Sequence, residues 1–199
     1  MKKIEIDDIQ ELIQKDYPVE KLKKLLDNVL MLSLQVKDDY PDYKNWFMTK
    51  QLPGIYDNTR NIIIAHIDEN IVGFASLKKT KEEKKICTFY VEKSFRKNRI
   101  GSLLVAKAIE YLEEEKPLIT IPMDKLNEFI KISNKYGWKI TDIQENLYRT
   151  TVPEVIVNGV VLESEKSIIK EPSLQKIYKI YKMECLRKTI KLLLTLNKI

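Results

Sequence analysis

The chain has 199 residues, of which 44% are hydrophobic, and its formal net charge at pH 7 is +6. With only five glycines and no low-complexity run, this composition excludes a fibrous or disordered chain and suffices for one substantial core with extensions. No stretch reaches the roughly 20 apolar residues of a membrane span, and the first residues do not resemble a secretion signal. We therefore expect a cytoplasmic protein without a transmembrane segment.

The positive charge is concentrated near the C-terminus. Nine of the 35 Lys and Arg and two of the 29 Asp and Glu fall within residues 166–199, so this segment carries +7 and residues 1–165 carry −1. The pI of about 9 is therefore no reason to regard the whole chain as a nucleic-acid binder. Cys87 and Cys185 have neither metal-site nor disulfide spacing, and we expect buried thiols and no bound metal.

The first part of the chain is predicted to be mainly helical. Residues 2–6 have the composition of a short strand, and Asp7 or Asp8 can cap a helix that runs through Gln14. Residues 19–36 then place leucines and valines at helical spacing between charged residues. This pattern predicts a helix packed on a sheet.

A second helical segment is predicted over residues 42–52, after a stop at Pro41. It carries Trp46 and Phe47, which we assign to the core, with the lining of a substrate groove as the alternative. The dipeptide Pro53-Gly54 is typical of a loop and predicts the end of this segment.

Three apolar runs rich in β-branched residues follow, over residues 61–67, 71–78 and 85–91. The polar residues 68–70 between the first two runs indicate a hairpin, so we expect an antiparallel meander. His66, the single histidine, lies in the first run. We assign it to the sheet surface, with a role as general base as the alternative.

The third run leads into a short basic loop and then a helical pattern that opens at Gly101 and Ser102. The first turn of a helix has unpaired backbone N–H groups and the positive end of the helix dipole. A loop that enters such a turn can surround an anion with main-chain donors. Because Arg96, Lys97 and Arg99 add positive charge here, the sequence predicts a phosphate-binding loop.

The region after this helix predicts an α/β architecture. Residues 117–122 form a compact strand that a helical crossover makes parallel to the third run. Asp124 can cap a helix over residues 125–136, which ends at Gly137. Two final strands are predicted at residues 138–143 and 146–150. The resulting order β-β-β-α-β-α-β-β predicts one mixed sheet with helices on both faces.

The segment 84–112 resembles the acetyl-CoA signature of the GNAT N-acetyltransferases, an Arg/Gln-x-x-Gly-x-Gly/Ala loop between a strand and a long helix. Arg96, Ile100 and Gly101 fit this loop, whereas Lys97 and Arg99 stand where the family has glycines. The order of elements from about residue 40 to residue 150 also resembles the family. The resemblance implies a GNAT-like fold, in which the parallel fourth and fifth strands separate and hold acyl-CoA in the gap.

The resemblance also implies which residues bind acetyl-CoA. Tyr90, Val91 and Glu92 would lie beside the pantetheine arm, and the Val91 amide would face the thioester oxygen. The pyrophosphate would be held by the loop and helix start, namely Arg96, Lys97, Asn98, Arg99, Ile100, Gly101 and Ser102. Asn98 tolerates left-handed backbone geometry, and we expect it to compensate for the missing glycines.

The proton donor and the general base stay open at this point. Many GNAT enzymes have a tyrosine four residues before a Gly-Phe pair, and here Ser133 stands four residues before Gly137-Trp138. Ser133 is a poorer acid, so it binds the sulfur or water relays the proton; Tyr136 lies nearby on the same helix. The candidates for the base are Glu92, His66, Asp68 and a water chain.

The predicted domain spans residues 1–152, with N-terminal helices in 7–52 and a CoA-binding core in 61–150. Residues 153–199 form a C-terminal extension, a hairpin around Asn158-Gly159 followed by a basic amphipathic helix. This helix is expected to dock on the domain or on a second copy in a homodimer. The alternative is contact with RNA, an anionic lipid surface or an acidic partner.

The expected function is N-acetyl transfer from acetyl-CoA to an amine by direct attack in a ternary complex. One alternative is a CoA-binding module without turnover, suggested by Arg99 and Ser133. Another is a toxin-like GNAT that acts on aminoacyl-tRNA, suggested by the basic C-terminal segment.

Overall fold

The computed structural model describes residues 3–161. The predicted C-terminal helix, Cys185 and the last two residues of the predicted hairpin, 162–163, lie outside the described residues. The described strands are β1 Ile4–Asp8, β2 Arg60–Ile67, β3 Asn70–Lys79, β4 Lys84–Val91, β5 Leu118–Pro122, β6 Ile140–Gln144 and β7 Glu154–Val157. The described α-helices are α1 Ile9–Gln14, α2 Val19–Ser33, α3 Tyr43–Trp46, α4 Leu52–Tyr56, α5 Ile100–Leu112 and α6 Leu126–Tyr136.

The strands form one mixed sheet in the order β1-β2-β3-β4-β5-β7-β6. Strands β1 to β4 are antiparallel, β4 and β5 are parallel, and β7 pairs antiparallel with both β5 and β6. The predicted α/β fold class, the meander and the parallel pair are confirmed.

The two faces of the sheet carry separate hydrophobic cores, because side chains alternate along each strand. On β2, Ile63 and Ala65 belong to the core beneath α5 and α6, and Ile62 and Ile64 to the core beneath α1 to α4. Phe47 is fully buried in the second core, as predicted. The sheet is therefore covered on both faces, and any ligand must enter from an edge or through a gap.

The N-terminal helices follow the sequence pattern with one correction. Asp8 caps α1 by accepting a hydrogen bond from the Glu11 amide at 3.1 Å. The loop predicted at Pro53-Gly54 is wrong, since both residues lie in α4. A π-helical turn, Phe47–Gln51, precedes α4. In a π-helical turn the backbone hydrogen bonds join residues five apart instead of four. This turn lies just before Pro53, which supplies no N–H donor.

The C-terminal half of the sheet differs from the prediction. Residues 146–150 form turns and bends instead of a strand, and Asn146 has the positive φ of 58° that ends extended structure. The missing strand is β7, which was predicted as half of a separate hairpin. All four β7 residues are buried, as expected of a central strand between β5 and β6. The sheet thus continues past the predicted domain boundary at residue 152.

The caps of α6 were predicted correctly at one end only. Gly137 ends the helix in the left-handed conformation, with φ 62°. The Asp124 side chain does not cap the start, because a 3₁₀ turn, Met123–Lys125, comes before the helix. Asp124 instead accepts a hydrogen bond from Arg149 at 3.5 Å. Among the described residues, the helices are too short or too polar to cross a membrane.

Candidate active site

A cleft of about 950 Å³ lies between β4 and β5. Only two residue pairs join these strands, Lys85 with Leu118 and Ile86 with Ile119. Beyond these pairs β4 continues to Val91 and β5 continues to Pro122, but the two strands no longer pair with each other. The two strands therefore separate toward their carboxyl ends.

A β-bulge in β4 explains where the separation starts. Ile86 pairs with Leu77 and Thr88 pairs with Ser76, so Cys87 is an extra residue without an opposite position in β3. A bulge bends the strand that carries it and increases the local twist. Because Cys87 directly follows the last residue that pairs with β5, the bend turns β4 away from β5.

The cleft passes through the sheet and has a mouth on each face. Its lining on one face includes Phe89, Ile100 and Phe129, which belong to the core beneath α5 and α6. Its lining on the other face includes Tyr40 and Tyr90, which pack with the core beneath α1 to α4. We call these the α5 mouth and the α2 mouth.

The main chain of β4 presents polar groups to the cleft. The Glu92 amide donates to the Val72 carbonyl at 2.9 Å, so Glu92 faces β3. Because backbone groups alternate in direction along a strand, the N–H and C=O of Val91 point to the opposite edge, where β5 has departed. In agreement, the Val91 carbonyl accepts a hydrogen bond from Arg96 Nε at 3.0 Å.

The loop at the α5 mouth keeps the backbone shape of a glycine-rich loop without its glycines. Lys97 and Arg99 have φ values of 68° and 65°, and Arg99 is the N-cap of α5. Asn98, whose tolerance of left-handed geometry was expected to compensate in part for the missing glycines, does not have a positive φ. Left-handed geometry costs a non-glycine residue about 1–2 kcal/mol. The loop therefore stores strain at the two positions where glycines were expected.

The start of α5 leaves three backbone N–H groups without a partner inside the helix. The first intrahelical bond of α5 runs from the Leu103 amide to the Arg99 carbonyl at 3.0 Å. The amides of Ile100, Gly101 and Ser102 precede it, and all three residues line the cleft. A Cβ on Gly101 would meet Phe89 at an ordinary 3.5 Å, so glycine is not required there for space.

Basic side chains surround the α5 mouth. Four exposed cations line it, namely Lys93, Lys97, Arg99 and Lys131. Arg96 also lines the cleft, but its guanidinium group already has two partners. Nε donates to the Val91 carbonyl, and a terminal nitrogen forms an ion pair with Glu128 of α6 at 2.9 Å. The positive charge, the helix N-terminus and the apolar walls together suit a long ligand that carries phosphate groups.

The structure brings most, but not all, of the predicted site residues to the cleft. The predicted residues that line it are Tyr90, Val91, Arg96, Lys97, Arg99, Ile100, Gly101 and Ser102. Glu92, Asn98 and Ser133 are not among the lining residues. Ser133 lies near the end of α6, where its carbonyl accepts from the Trp138 amide at 2.9 Å. Tyr136 stacks on Trp138 and does not line the cleft either.

The remaining candidates for a general base also lie away from the cleft. His66 is buried in β2, 3.0 Å from the Asp7 carboxylate of β1. Asp68 lies in the turn between β2 and β3. Neither residue lines the cleft, so neither can take a proton from a group bound there.

The α2 mouth has polar groups that sequence patterns missed. Asp39 and Tyr40, from the loop after α2, line it together with Thr120 of β5. Asp39 is buried and forms ion pairs with Lys125 and, at 3.3 Å, with Arg149. These ion pairs connect the loop after α2, the turn after β5 and the loop between β6 and β7.

Behind this mouth lies Glu154, the first residue of β7. It is 0% exposed, and neither carboxylate oxygen has a hydrogen-bond partner among the described residues. Burial raises the pKa of Glu154 to about 7; Arg149 lowers it, and the charges of Asp39 and Asp124 raise it. Burial, followed by the Glu154 charge, holds the pKa of Tyr40 well above its usual value.

One sequence signal could have indicated Glu154. It is a charged residue at the head of an otherwise apolar run of four, and charged residues in such a strand are rare unless they have a function or a partner. No comparable signal marks Tyr40, because its position depends on how the loop after α2 folds onto β5.

Comparison with protein families gives a match over residues 6–124 to the acetyltransferase (GNAT) family. Since this match covers more than half of the chain, the chain belongs to the GNAT acetyltransferase family. Comparison with curated protein sequences finds no significant match.

One solved structure of a GNAT protein matches this fold with a TM-score above 0.5, and two further matches are weaker. A GNAT-family protein from Desulfovibrio desulfuricans matches with a TM-score of 0.54 and 12% identity, over 78% of this chain and 97% of its own. A GNAT acetyltransferase from Elizabethkingia anophelis with acetyl-CoA bound matches with a TM-score of 0.44 and 19% identity, over 55% of this chain and 81% of its own. Nourseothricin acetyltransferase matches with a TM-score of 0.46 and 14% identity. This match covers 51% of this chain and 65% of the length of that protein.

Proposed function

We propose that the protein transfers an acetyl group from acetyl-CoA to an amine, with donor and acceptor bound together in the cleft between β4 and β5. The observation that carries this proposal is that the cleft opens on both faces of the sheet. One mouth offers the N-terminus of α5 and a group of cations, and the other offers polar side chains. Two substrates can thus meet inside the sheet without sharing an entrance.

The donor belongs at the α5 mouth on chemical grounds. The amides of Ile100, Gly101 and Ser102 are suited to a pyrophosphate, with Lys93, Lys97, Arg99 and Lys131 nearby. The apolar side chains of Phe89 and Phe129 flank the same opening and can cover the pantetheine arm. We assign Tyr90 and Val91 to the pantetheine as well, because they line the gap that β5 leaves open.

The Val91 amide is the proposed donor to the thioester oxygen. Negative charge grows on this oxygen when a nitrogen attacks the carbonyl carbon, and a fixed N–H donor stabilises that charge. Loss of one such donor costs about 3 kcal/mol of transition-state stabilisation. Since an amine is itself a competent nucleophile once deprotonated, direct attack needs no covalent enzyme intermediate.

Calorimetry and thiol release test this function. Titration of acetyl-CoA into the full chain should give saturable heat, and a panel of amines should include at least one that accelerates CoA thiol release above the acceptor-free rate. Absence of binding would overturn the proposal. Binding without accelerated release would instead favour a CoA-binding module without turnover, the alternative consistent with strained Lys97 and Arg99.

A further inference from the structure

The two mouths of the cleft differ in the charge that they offer a ligand. Four exposed lysines and arginines line the α5 mouth, and the carboxylate of Glu128 there is paired with Arg96. The charged residues that line the α2 mouth are Asp38, Asp39 and Lys125. A difference of this kind sorts ligands, because each mouth attracts groups of the opposite sign.

Asp38 carries the charge at the α2 mouth that is left without a partner. It is exposed and lines the cleft, and its carboxylate forms no hydrogen bond or ion pair with any residue from 3 to 161. The two cations that bind this loop, Lys125 and Arg149, both pair with Asp39. Lys37 is exposed but does not line the cleft. The α2 mouth therefore presents one free carboxylate to a ligand.

The loop holds Asp38 in a defined place. The amides of Asp39 and Tyr40 both donate to the carbonyl of the buried Val36, each at 3.0 Å. On the other side, the Asp38 carbonyl accepts a hydrogen bond from Arg149 Nη1 at 3.4 Å. A carboxylate on an anchored loop loses little freedom when it binds a cation, which favours binding.

Two tyrosines stand at the same mouth. Tyr40 packs edge-on against Tyr148, with ring centroids 5.2 Å apart, and Tyr90 packs against Phe74 at 6.3 Å. Both tyrosines also line the cleft and are only partly buried. An aromatic ring attracts an ammonium group that reaches its face, and it packs well against the carbon chain of an amine. The walls of the α2 mouth thus suit an organic cation.

A buried hydroxyl on β5 adds an independent sign of a polar ligand. Thr120 is 6% exposed and lines the cleft, and its hydroxyl has no hydrogen-bond partner in the described part of the chain. Leaving a buried hydroxyl unpaired is unfavourable. An amine that enters the α2 mouth can supply the missing partner.

We propose that the acceptor is a small amine with a second positive charge, and that the Asp38 carboxylate binds this second charge at the α2 mouth. This inference rests on the proposed function and names the class of its acceptor. The reacting amine enters the cleft past Tyr40 and Tyr90, and the second cation stays at the rim with Asp38. Asp38 is then a specificity-determining residue, since it does not touch the reacting atoms.

The same arrangement disfavours a polyanionic acceptor such as an aminoacyl-tRNA. The cations that could bind its phosphates lie at the α5 mouth, where the pyrophosphate of the donor is proposed to bind. At the α2 mouth such an acceptor would meet the free carboxylate of Asp38 instead. Like charges repel, so RNA is a poor fit to this side of the sheet.

A test of this class uses three amines of equal length that differ at the far end: cadaverine, n-pentylamine and the five-carbon ω-amino acid. Thiol release by the full-length wild-type chain should give cadaverine a kcat/KM about fivefold above that of pentylamine, after correction for its two equivalent amines. The amino acid should be the poorest of the three. The preference for cadaverine should shrink as salt is added.

Two variants decide whether Asp38 is responsible. Asp38→Asn should lose the preference for cadaverine, mainly through KM. The control Asp27→Asn, which removes an exposed carboxylate of α2 outside the cleft, should keep it. A wild type that prefers pentylamine or the amino acid would overturn the proposal, and so would a preference that Asp38→Asn retains.

Calorimetry gives a second readout that needs no turnover. Cadaverine titrated into the full chain saturated with CoA should bind wild type and Asp27→Asn about fivefold more tightly than Asp38→Asn. Equal affinities, or no heat from cadaverine, would contradict the assignment. Failure of acetyl-CoA itself to bind in the same instrument would count against the proposed function instead, which separates the two claims.

Discussion

The two mouths of the cleft are built in different ways. The α5 mouth comes mainly from one continuous stretch, residues 86–102, to which α6 adds Phe129 and Lys131, and backbone amides at the start of α5 face it. The α2 mouth is assembled from Asp39, Tyr40 and Thr120, which come from two distant parts of the chain, and its polar groups are side chains. Main-chain sites tolerate side-chain changes, and side-chain sites do not. The α5 mouth should therefore withstand most substitutions, and the α2 mouth should be sensitive to single ones.

The largest effect is expected where a main-chain donor itself is removed. Val91→Pro deletes the amide that points to the cleft, without removing a bond to β3. We expect kcat for acetyl transfer to fall by about 100-fold or more, while acetyl-CoA affinity changes little. Val91→Ala is the matched control, since it keeps the amide. Equal turnover by the two variants would show that the Val91 N–H does not stabilise the transition state.

Changing Glu154 should alter stability in a pH-dependent way. Its folded pKa of about 7 lies above the ordinary glutamate value of 4.5, so the folded state binds the proton more tightly. The stability that this proton contributes is complete below the unfolded pKa and is lost as the pH rises through about 7. Glu154→Gln should thus be more stable than wild type at pH 8, by about 1–3 kcal/mol, and similar to it near pH 4.

Urea unfolding at both pH values measures this difference. The exposed-carboxyl variant Glu145→Gln should show none of it. A wild-type chain that is as stable as Glu154→Gln at pH 8 would mean that the carboxylate has a partner in solution and is not held in an unfavourable environment.

Replacing Arg99 in the strained loop should have a smaller effect. Arg99→Gly should raise stability and weaken acetyl-CoA binding. Arg99→Gly places glycine at φ 65° and should raise the free energy of unfolding by up to about 1 kcal/mol. Arg99→Gln keeps the strain and removes the charge. Both variants should bind acetyl-CoA more weakly than wild type, with a shallower salt dependence, because both lack the cation. If Arg99→Gly is the less stable protein, the left-handed residue is not strained.

The smallest effect concerns the ion pair across the α5 mouth. Arg96 joins the loop to Glu128 of α6 at 2.9 Å, and both side chains are more than a third exposed. Glu128→Gln should free Arg96 for a phosphate and tighten acetyl-CoA binding by less than about tenfold, since exposed ion pairs contribute about 1 kcal/mol or less. Calorimetry would measure the change, and weaker binding in this variant would contradict it.

Local patterns in the sequence predicted the strands and the helix around the α5 mouth, for a physical reason. The meander, the parallel pair and the loop before α5 depend on periodicity and on β-α-β connectivity, which neighbouring residues encode. Even so, propensity favours left-handed geometry at Asn98, whereas the path of the loop imposes that conformation on Lys97 and Arg99. Tertiary context overrides propensity at such positions.

The α2 mouth could not be predicted because it depends on contacts between distant segments. The position of β7 between β5 and β6 is decided by the gap that those strands leave, and residues 154–157 alone fit a local hairpin equally well. Glu154 acquires its importance only through that insertion, which buries it. In the same way, the π turn before Pro53 kept a helix where the sequence indicated a loop.

The most direct test of the proposed acetyl-CoA site is a crystal structure of the full chain with acetyl-CoA. We predict the pyrophosphate at the amides of Ile100, Gly101 and Ser102, the pantetheine between β4 and β5, and the thioester oxygen within hydrogen-bond distance of the Val91 N–H. Acetyl-CoA bound elsewhere, or a thioester remote from Val91, would contradict the assignment of this cleft as the site of acetyl transfer.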